Sequence, residues 1–255
     1  MLKKTMAKIY FRFLSRKYHH QSGLTLDYMF KKSKSRDHLV VIFNAFPRPG
    51  LPATYNYIKT TDEVDADRLF ILDNFGHNKI AGYYLLDYGD SALEDAVTEL
   101  VSKKMKERNY KKIIFIGTSK GGYAAMYYAV KLGADAVIAG APQYLLGNYL
   151  TDIPQKANTF KGIAGDPPVY TVDQLNQILP DRIKSKPEKK PIFYVHYSDK
   201  EHTYWEHISF LLDDLEEEGY ELHRDREEYE EHGEVAKFFP QFLVKTLNDL
   251  TSDKK

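Results

Sequence analysis

Apolar runs alternate with polar, glycine- or proline-marked breaks along most of this 255-residue chain. Short β-branched and aromatic runs are typical of strands buried on both faces, and apolar residues three and four apart are typical of helices. The strands predicted on this basis cover residues 38–43, 68–72, 112–116, 136–139, 192–197 and 220–229. The predicted helices cover residues 92–108, 123–132, 205–215 and 235–250. This alternation predicts an α/β protein with a mostly parallel sheet and helices on both faces.

One long segment interrupts the alternation. Residues 143–190 contain five prolines and only one short helical pattern, at 172–179. An irregular connection of this length is typical of an insertion over a binding site, and a structural excursion without ligand contact is the alternative. We predict one domain at 38–255 that carries this insertion, preceded by a basic, aromatic extension at 1–37.

The most informative motif follows the strand predicted at 112–116. There the sequence reads Gly117-Thr-Ser-Lys-Gly121, with a helix predicted directly after it. Glycines two positions before and after a serine allow a sharp turn between strand and helix, which is the form of a nucleophile elbow. We therefore predict that Ser119 is a nucleophile at the carboxyl edge of the sheet. The alternative is a glycine-rich turn whose serine only caps the helix. The residue order does not match a P-loop or a dinucleotide-binding turn.

A serine nucleophile needs a base, and the base works best when a carboxylate orients it. His232 lies between the last predicted strand and the last helix, where this fold carries its base. The carboxylate should follow the strand at 192–197, and both Asp199 and Glu201 lie there. The spacing alone does not separate these two candidates.

The remaining requirement is a pair of donors for an oxyanion. We predict the backbone N–H of Lys120 and that of Ala45 or Phe46, in the loop after the first predicted strand. Arg48 in the same loop is a candidate for binding a substrate anion, or is simply solvated. Residues 201–207 are rich in Glu and His but lack the H-E-x-x-H pattern, so no metal site is predicted.

The composition narrows the functional classes. The chain has 36 basic and 36 acidic residues, which gives no overall electrostatic argument for nucleic acid as a partner. The absence of cysteine excludes disulfides, a thiolate nucleophile and cysteine metal ligands. There is no apolar run of membrane-spanning length and no export signal, so we expect a cytoplasmic protein that needs no cofactor. The 20 tyrosines are compatible with a hydroxyl-lined cleft of the kind that binds sugars.

The charge is unevenly distributed along the chain. Residues 1–40 contain ten Lys and Arg against Asp27 and Asp37, and aromatic residues are interleaved with the basic ones, namely Tyr10, Phe11, Phe13 and Tyr18. Such a segment docks on an acidic protein surface or a membrane face, or else forms a solvated helix that buries its aromatic side chains.

Three segments carry a resemblance to a known family: Gly117–Gly122, Tyr197–His202 and Glu231–Val235. Over about residues 38–250 the chain resembles the α/β-hydrolase-type proteins of bacterial surface-polysaccharide systems. These are the capsular polysaccharide biosynthesis proteins and, more distantly, the acetyltransferase-like component of the accessory Sec secretion system. The resemblance implies an α/β-hydrolase fold with a Ser-acid-His centre that acts on carbohydrate-linked acyl groups. The acid of the accessory Sec component is a glutamate, which favours Glu201.

The expected function is therefore that of a serine esterase or acetyltransferase in surface-polysaccharide biosynthesis, with an acyl ester or a sugar as substrate. One alternative is a carboxylesterase or thioesterase for small acyl substrates. The other is a non-catalytic assembly protein built on a hydrolase scaffold.

Overall fold

The computed structural model describes residues 15–48 and 50–252, and within them eight strands form one sheet. The strands are β1 (Arg16–His19), β2 (Thr25–Lys31), β3 (His38–Phe43), β4 (Asp67–Leu72), β5 (Lys112–Thr118), β6 (Ala136–Gly140), β7 (Ile192–Ser198) and β8 (Leu222–Glu227). Their spatial order is β1-β2-β4-β3-β5-β6-β7-β8. From β4 to β8 every neighbouring pair is parallel, whereas β1 and β2 pair antiparallel with each other and β2 with β4.

In the sequence, most α-helices connect consecutive parallel strands. They are α1 (Ala92–Lys106), α2 (Lys120–Leu132), α3 (Leu146–Thr151), α4 (Ala157–Ala164), α5 (Val172–Ile183), α6 (Ser209–Glu217) and α7 (Val235–Thr251). A π-helical segment, Tyr204–Ile208, leads directly into α6. Short 3₁₀ helices cover His77–Lys79, Pro154–Lys156 and His232–Glu234. No helix among the described residues is long and apolar enough to cross a membrane.

Two apolar layers cover the sheet, one on each face. In β3 every residue is buried, and alternate side chains point to opposite faces because a strand has a period of two. Val41 and Phe43 belong to the layer that includes α1, α2, α5 and α6. Val40 and Ile42 belong to the other layer, which α7 covers with Phe239 and its apolar neighbours. The predicted fold class, a mostly parallel sheet with helices on both faces, is confirmed.

The boundary predicted at residue 37 requires a correction, because β1 and β2 extend the same sheet at its edge. Strand β2 pairs with β4 from Asp27 opposite Leu72 to Lys31 opposite Arg68. Only two side chains of β2, Leu26 and Met29, are buried, so the strand has no clear apolar alternation. Strand β1 is an edge strand, and charged residues on an edge strand protect a sheet from pairing with other chains. The charges of β1 and the irregular pattern of β2 concealed both strands in the sequence.

The basic aromatic segment is only partly within the described residues. Tyr10, Phe11 and Phe13 lie outside them. Tyr18 lies on β1, and its hydroxyl donates to the Glu99 carboxylate on α1. The docking role of this segment stays a prediction.

The insertion at 143–190 also differs from the prediction, since it contains three helices instead of one short one. Pro154 begins a 3₁₀ helix, a position where a missing N–H costs little. Thr171 and Gln174 form a capping box at the start of α5. Helix α5 buries Leu175 and Leu179 in the layer that contains α2. Pro154, Pro167 and Pro168 therefore lie at or between helix ends, whereas Pro180 lies inside α5, and none of them indicates an irregular segment.

Candidate active site

The turn between β5 and α2 has the geometry of a nucleophile elbow. Ser119 has φ 53° and ψ −121°, a strained conformation that local packing must maintain. A Cβ on Gly117 would lie 2.2 Å from the Gly121 carbonyl oxygen, and one on Gly121 would lie 2.4 Å from the Phe43 carbonyl oxygen. The close approach of backbone therefore requires both glycines. The Ser119 N–H donates to the Gly140 carbonyl at 2.8 Å, which anchors the turn to β6.

Three of the predicted residues form a hydrogen-bonded chain. Ser119 Oγ lies 3.0 Å from His232 Nε2, and His232 Nδ1 bonds Glu201 Oε1. The carboxylate accepts a hydrogen bond from Nδ1–H, which leaves the lone pair of Nε2 directed at the serine hydroxyl. His232 begins the short 3₁₀ helix between β8 and α7, and Glu201 follows β7. The topology thus brings together residues that are 113 and 31 positions apart.

The structure separates the two carboxylate candidates. The side chain of Glu201 is fully buried, and its Oε1 also accepts from Thr203 Oγ1 at 2.7 Å. The partly exposed Asp199 instead accepts from Arg226 Nε at 2.7 Å. This hydrogen bond and the guanidinium charge lower the pKa of Asp199. Asp199 is therefore a surface ion-pair partner and not part of the chain of bonds at Ser119.

Gln143 is a member of this site that sequence reasoning missed. It is fully buried in the loop after β6, and its Nε2 donates to Ser119 Oγ at 2.7 Å. Because Oγ accepts this bond, its own hydrogen is free to be donated to His232. The available signal was its position at the carboxyl end of the strand next to β5, and many loop residues share that property.

Two adjacent buried tyrosines contact residues that surround Ser119. Tyr83 and Tyr84 have positive φ of 53° and 61°, values that are unfavourable for bulky side chains. Both rings are fully buried. The Tyr84 hydroxyl donates to Asn44 Oδ1 at 2.5 Å, and the Tyr83 hydroxyl lies 3.4 Å from Gln143 Oε1. This strained turn therefore supports both the loop after β3 and the amide that bonds the serine.

The side chain of Lys120 has a structural contact of its own. Its Nζ donates to Asp73 Oδ2 at 2.7 Å, and both side chains are fully buried. Burial lowers the pKa of Lys120, and the Asp73 carboxylate opposes that shift. The Asp73 N–H in turn donates to Asn44 Oδ1 at 2.8 Å. A buried ion pair and an amide thus connect the elbow to the loop after β3.

The two predicted oxyanion donors lie at the start of α2 and in the loop after β3. The N–H of Lys120 lies at the start of α2, where helix amides have no intrahelical acceptor. The Ala45 N–H donates to Asn56 Oδ1 at 2.8 Å, so it is not free for an oxyanion. Of the two candidates for the second donor, Ala45 and Phe46, the structure favours Phe46, because its N–H has no acceptor among the described residues.

Tyr149 from the insertion lies beside Ser119 in the cleft, and His207 from the π-helical segment packs against Tyr149. Burial raises the pKa of Tyr149 on α3, and its hydrogen bond to Ser119 partly offsets the rise. Burial lowers the pKa of His207 to about 4, with smaller contributions from His202 and His232. His207 Nδ1 accepts from the Leu145 N–H at 3.2 Å, and its ring packs edge-on against Tyr149. A neutral His207 therefore positions α3 beside the serine.

The hydrogen-bonded chain opens on a cleft of about 500 Å³. The loop after β3 forms one wall and the turn before α7 the other. The lining side chains include polar and aromatic groups, among them Phe46, Arg48, Thr54, Asn56, Tyr57 and Tyr149. Arg48 is exposed and has no ion-pair partner among residues 15–48 and 50–252. The cleft is large enough for a small ester or a sugar unit.

No protein-family model and no curated protein matches the chain. Several solved structures are similar. The capsule O-acetyltransferase of Neisseria meningitidis serogroup A has a TM-score of 0.71 at 17% identity, with 93% of this chain and 99% of that one covered. The same enzyme was also solved as a histidine-to-alanine mutant in complex with CoA. The Gap123 glycosylation-associated complex of Streptococcus agalactiae has a TM-score of 0.76 at 16% identity, with 94% of this chain but 47% of that chain covered.

A third similar structure is the fluorophosphonate-binding serine hydrolase FphF of Staphylococcus aureus. Its TM-score is 0.67 at 13% identity, with 94% of this chain and 98% of that one covered. These neighbours are an acetyltransferase, a glycosylation-associated complex and a serine hydrolase, the groups that the sequence resemblance indicates. At such identities the likeness concerns the fold: the chain has the α/β-hydrolase fold that the sequence predicts.

Proposed function

We propose that this protein is a serine-dependent acyltransferase or esterase that acts on carbohydrate-linked acyl groups. One observation carries the proposal: Ser119 Oγ, His232 and the buried Glu201 are joined by hydrogen bonds at the base of an open cleft. A serine in a strained elbow, a histidine with its lone pair directed at the hydroxyl and a carboxylate on Nδ1 are the parts that acyl transfer requires.

In the first half-reaction His232 Nε2 accepts the proton of Ser119 while Oγ attacks the acyl carbonyl carbon. The carbonyl π electrons move onto oxygen, and the N–H groups of Lys120 and Phe46 stabilise the negative charge. The bond to the leaving group then breaks, and the leaving group takes the proton from His232. The product is an ester between the acyl group and Ser119. Glu201 holds the histidine tautomer and stabilises the imidazolium throughout.

In the second half-reaction an acceptor hydroxyl gives its proton to His232 and attacks the acyl carbon. Ser119 Oγ leaves and regains the proton, so the enzyme returns to its starting state. A sugar hydroxyl yields an acylated sugar, and water yields the free acid. The relative access of sugar and water to the acyl-enzyme therefore decides between transferase and esterase.

Two observations favour a carbohydrate acceptor. The Thr54 hydroxyl and the Asn56 amide NH₂ are polar groups of the cleft-lining residues that suit the hydrogen bonding of sugars. Asn56 Oδ1 and the Tyr57 hydroxyl already bond the Ala45 N–H and Thr118 Oγ1. One structural neighbour is a capsule O-acetyltransferase, and its solved complex with CoA supports an acyl thioester as the donor class. The proposed reaction is therefore acetyl transfer from a thioester to a sugar hydroxyl in surface-polysaccharide biosynthesis.

An acceptor experiment distinguishes the transferase from the esterase. Adding an oligosaccharide is expected to accelerate breakdown of an activated acetyl ester and to give acetylated sugar, because the sugar competes with water for one acyl-enzyme. The ratio of acetylated sugar to free acetate is measured by mass spectrometry of the sugar together with an acetate assay. If a panel of sugars changes neither rate nor product and only acetate accumulates, simple esterase activity remains.

Gln143→Leu tests the residue that bonds the nucleophile. The change keeps the side-chain volume but removes the donor to Ser119 Oγ, so we expect kcat/KM for an acetyl ester to fall about 10- to 100-fold. Gln177→Leu, at an exposed position of α5, is the matched control and should keep wild-type activity. A lowered melting temperature with unchanged kcat/KM would assign Gln143 a purely structural role.

A further inference from the structure

Lys156 lies between two aromatic rings that line the cleft. It ends the 3₁₀ helix Pro154–Lys156 in the insertion. Its Nζ is 4.0 Å from the centre of the Phe46 ring and 4.3 Å from the centre of the Tyr149 ring. Both rings line the cleft that contains Ser119. The ammonium group is therefore held against two rings of the cleft lining, by the loop after β3 on one side and α3 on the other.

This cation has no carboxylate partner among the described residues, nor has Arg48, which lines the cleft. Lys161, one helix further along, does pair with Asp166 at 3.0 Å. Two cation–π contacts compensate only part of the desolvation of an ammonium group. Burial, and to a smaller extent the charge of Lys120, lower the pKa of Lys156 to about 8. An incoming anion would supply the missing partner.

We propose that Lys156, together with Arg48, binds a phosphate group carried by the acyl donor or by the carbohydrate acceptor. Arg48 in the cleft lining and Lys156 against two of the lining rings supply two positive charges, which match the double negative charge of a phosphate ester. The two aromatic rings hold the lysine in place, so little side-chain entropy is lost when the anion binds. The inference rests on the proposed function, because it assigns the substrate class of the same site.

A comparison of paired substrates tests this proposal. Acetyl-CoA and acetyl-pantetheine share the thioester, but only the first carries phosphates. Glucose 1-phosphate and glucose form the corresponding acceptor pair. The wild-type protein should prefer the phosphorylated member of one pair in kcat/KM. Lys156→Met keeps the apolar stem between the rings and should reduce that preference about tenfold or more.

Two variants serve as controls. Lys156→Arg keeps the positive charge and should retain most of the preference for the phosphorylated substrate. If the preference depended only on the packing of the lysine stem, Lys156→Arg and Lys156→Met would behave alike. Lys161→Met removes a lysine of the same insertion and should leave the preference unchanged. A reduction confined to the donor pair or to the acceptor pair identifies which substrate carries the phosphate.

The pH dependence is a second readout. The rings of Phe46 and Tyr149 face Lys156, and Lys120 is the charged group that acts on it. Lys156 is charged below its pKa of about 8 and neutral above it. KM for the phosphorylated substrate should therefore rise above pH 8 in the wild-type protein and rise less in Lys156→Arg, whose guanidinium stays charged.

The outcomes separate this inference from the proposed function. If the wild-type protein gains nothing from phosphate on either substrate, or if Lys156→Met leaves the gain intact, phosphate binding by Lys156 is wrong. A fluorophosphonate probe carries no substrate phosphate and reports on Ser119 alone. Labelling of Ser119 without a phosphate effect overturns only this inference, whereas absence of labelling overturns the proposed function itself.

Discussion

Replacing Ser119 by alanine is expected to abolish fluorophosphonate labelling and to lower ester turnover by about 10⁴- to 10⁶-fold. The hydroxyl forms the covalent bond to the acyl group, and no other side chain can replace it. The substitution removes a single oxygen and should leave folding intact. Intact-mass measurement after labelling and steady-state kinetics on an acetyl ester check both parts.

Ser91→Ala is the matched control, since Ser91 is exposed and makes no capping bond at the start of α1. It should label and turn over like the wild-type protein. Wild-type turnover in Ser119→Ala would contradict the serine mechanism. If the wild-type protein itself resists the probe, a non-catalytic assembly role on a hydrolase scaffold becomes the better interpretation.

The second large effect is expected at Glu201. Glu201→Gln should lower kcat by about 10³- to 10⁴-fold, because an amide no longer fixes the histidine tautomer that accepts the serine proton. The buried carboxylate contacts His232 and Thr203. The glutamine amide has nearly the same size and shape, so it fits the same space. Kinetics and circular dichroism are measured together, in order to separate a lost role in catalysis from misfolding.

Asp199→Asn provides the comparison for that result. Asp199 bonds Arg226 near the surface, so we expect its loss to change kcat about tenfold or less. The opposite ranking of the two variants would assign the orienting role to Asp199. Equal and small effects would mean that neither carboxylate orients His232.

Much of the fold could be predicted from local sequence patterns. The buried run of β3 and the strand-turn-helix order around Ser119 follow from residue periodicity and from glycines that close backbone contacts require. The strands β1 and β2 could not be predicted, because the edge strand β1 is short and charged and β2 lacks the alternation by which strands are recognised. Two of the three insertion helices were missed because they span only six and eight residues, too few for a clear helical period.

The candidate site divides in the same way. The sequence by itself identified Ser119 as the serine of the elbow motif and placed His232 after the last strand. Both follow from local features, namely the glycine spacing and the order of elements. Only the tertiary structure decided whether Glu201 or Asp199 bonds His232, and only it showed that the Ala45 amide bonds Asn56. It also placed Gln143 beside the serine and Lys156 against the Tyr149 ring. These outcomes depend on distances between loops at the ends of different strands, and one-dimensional spacing does not specify such distances.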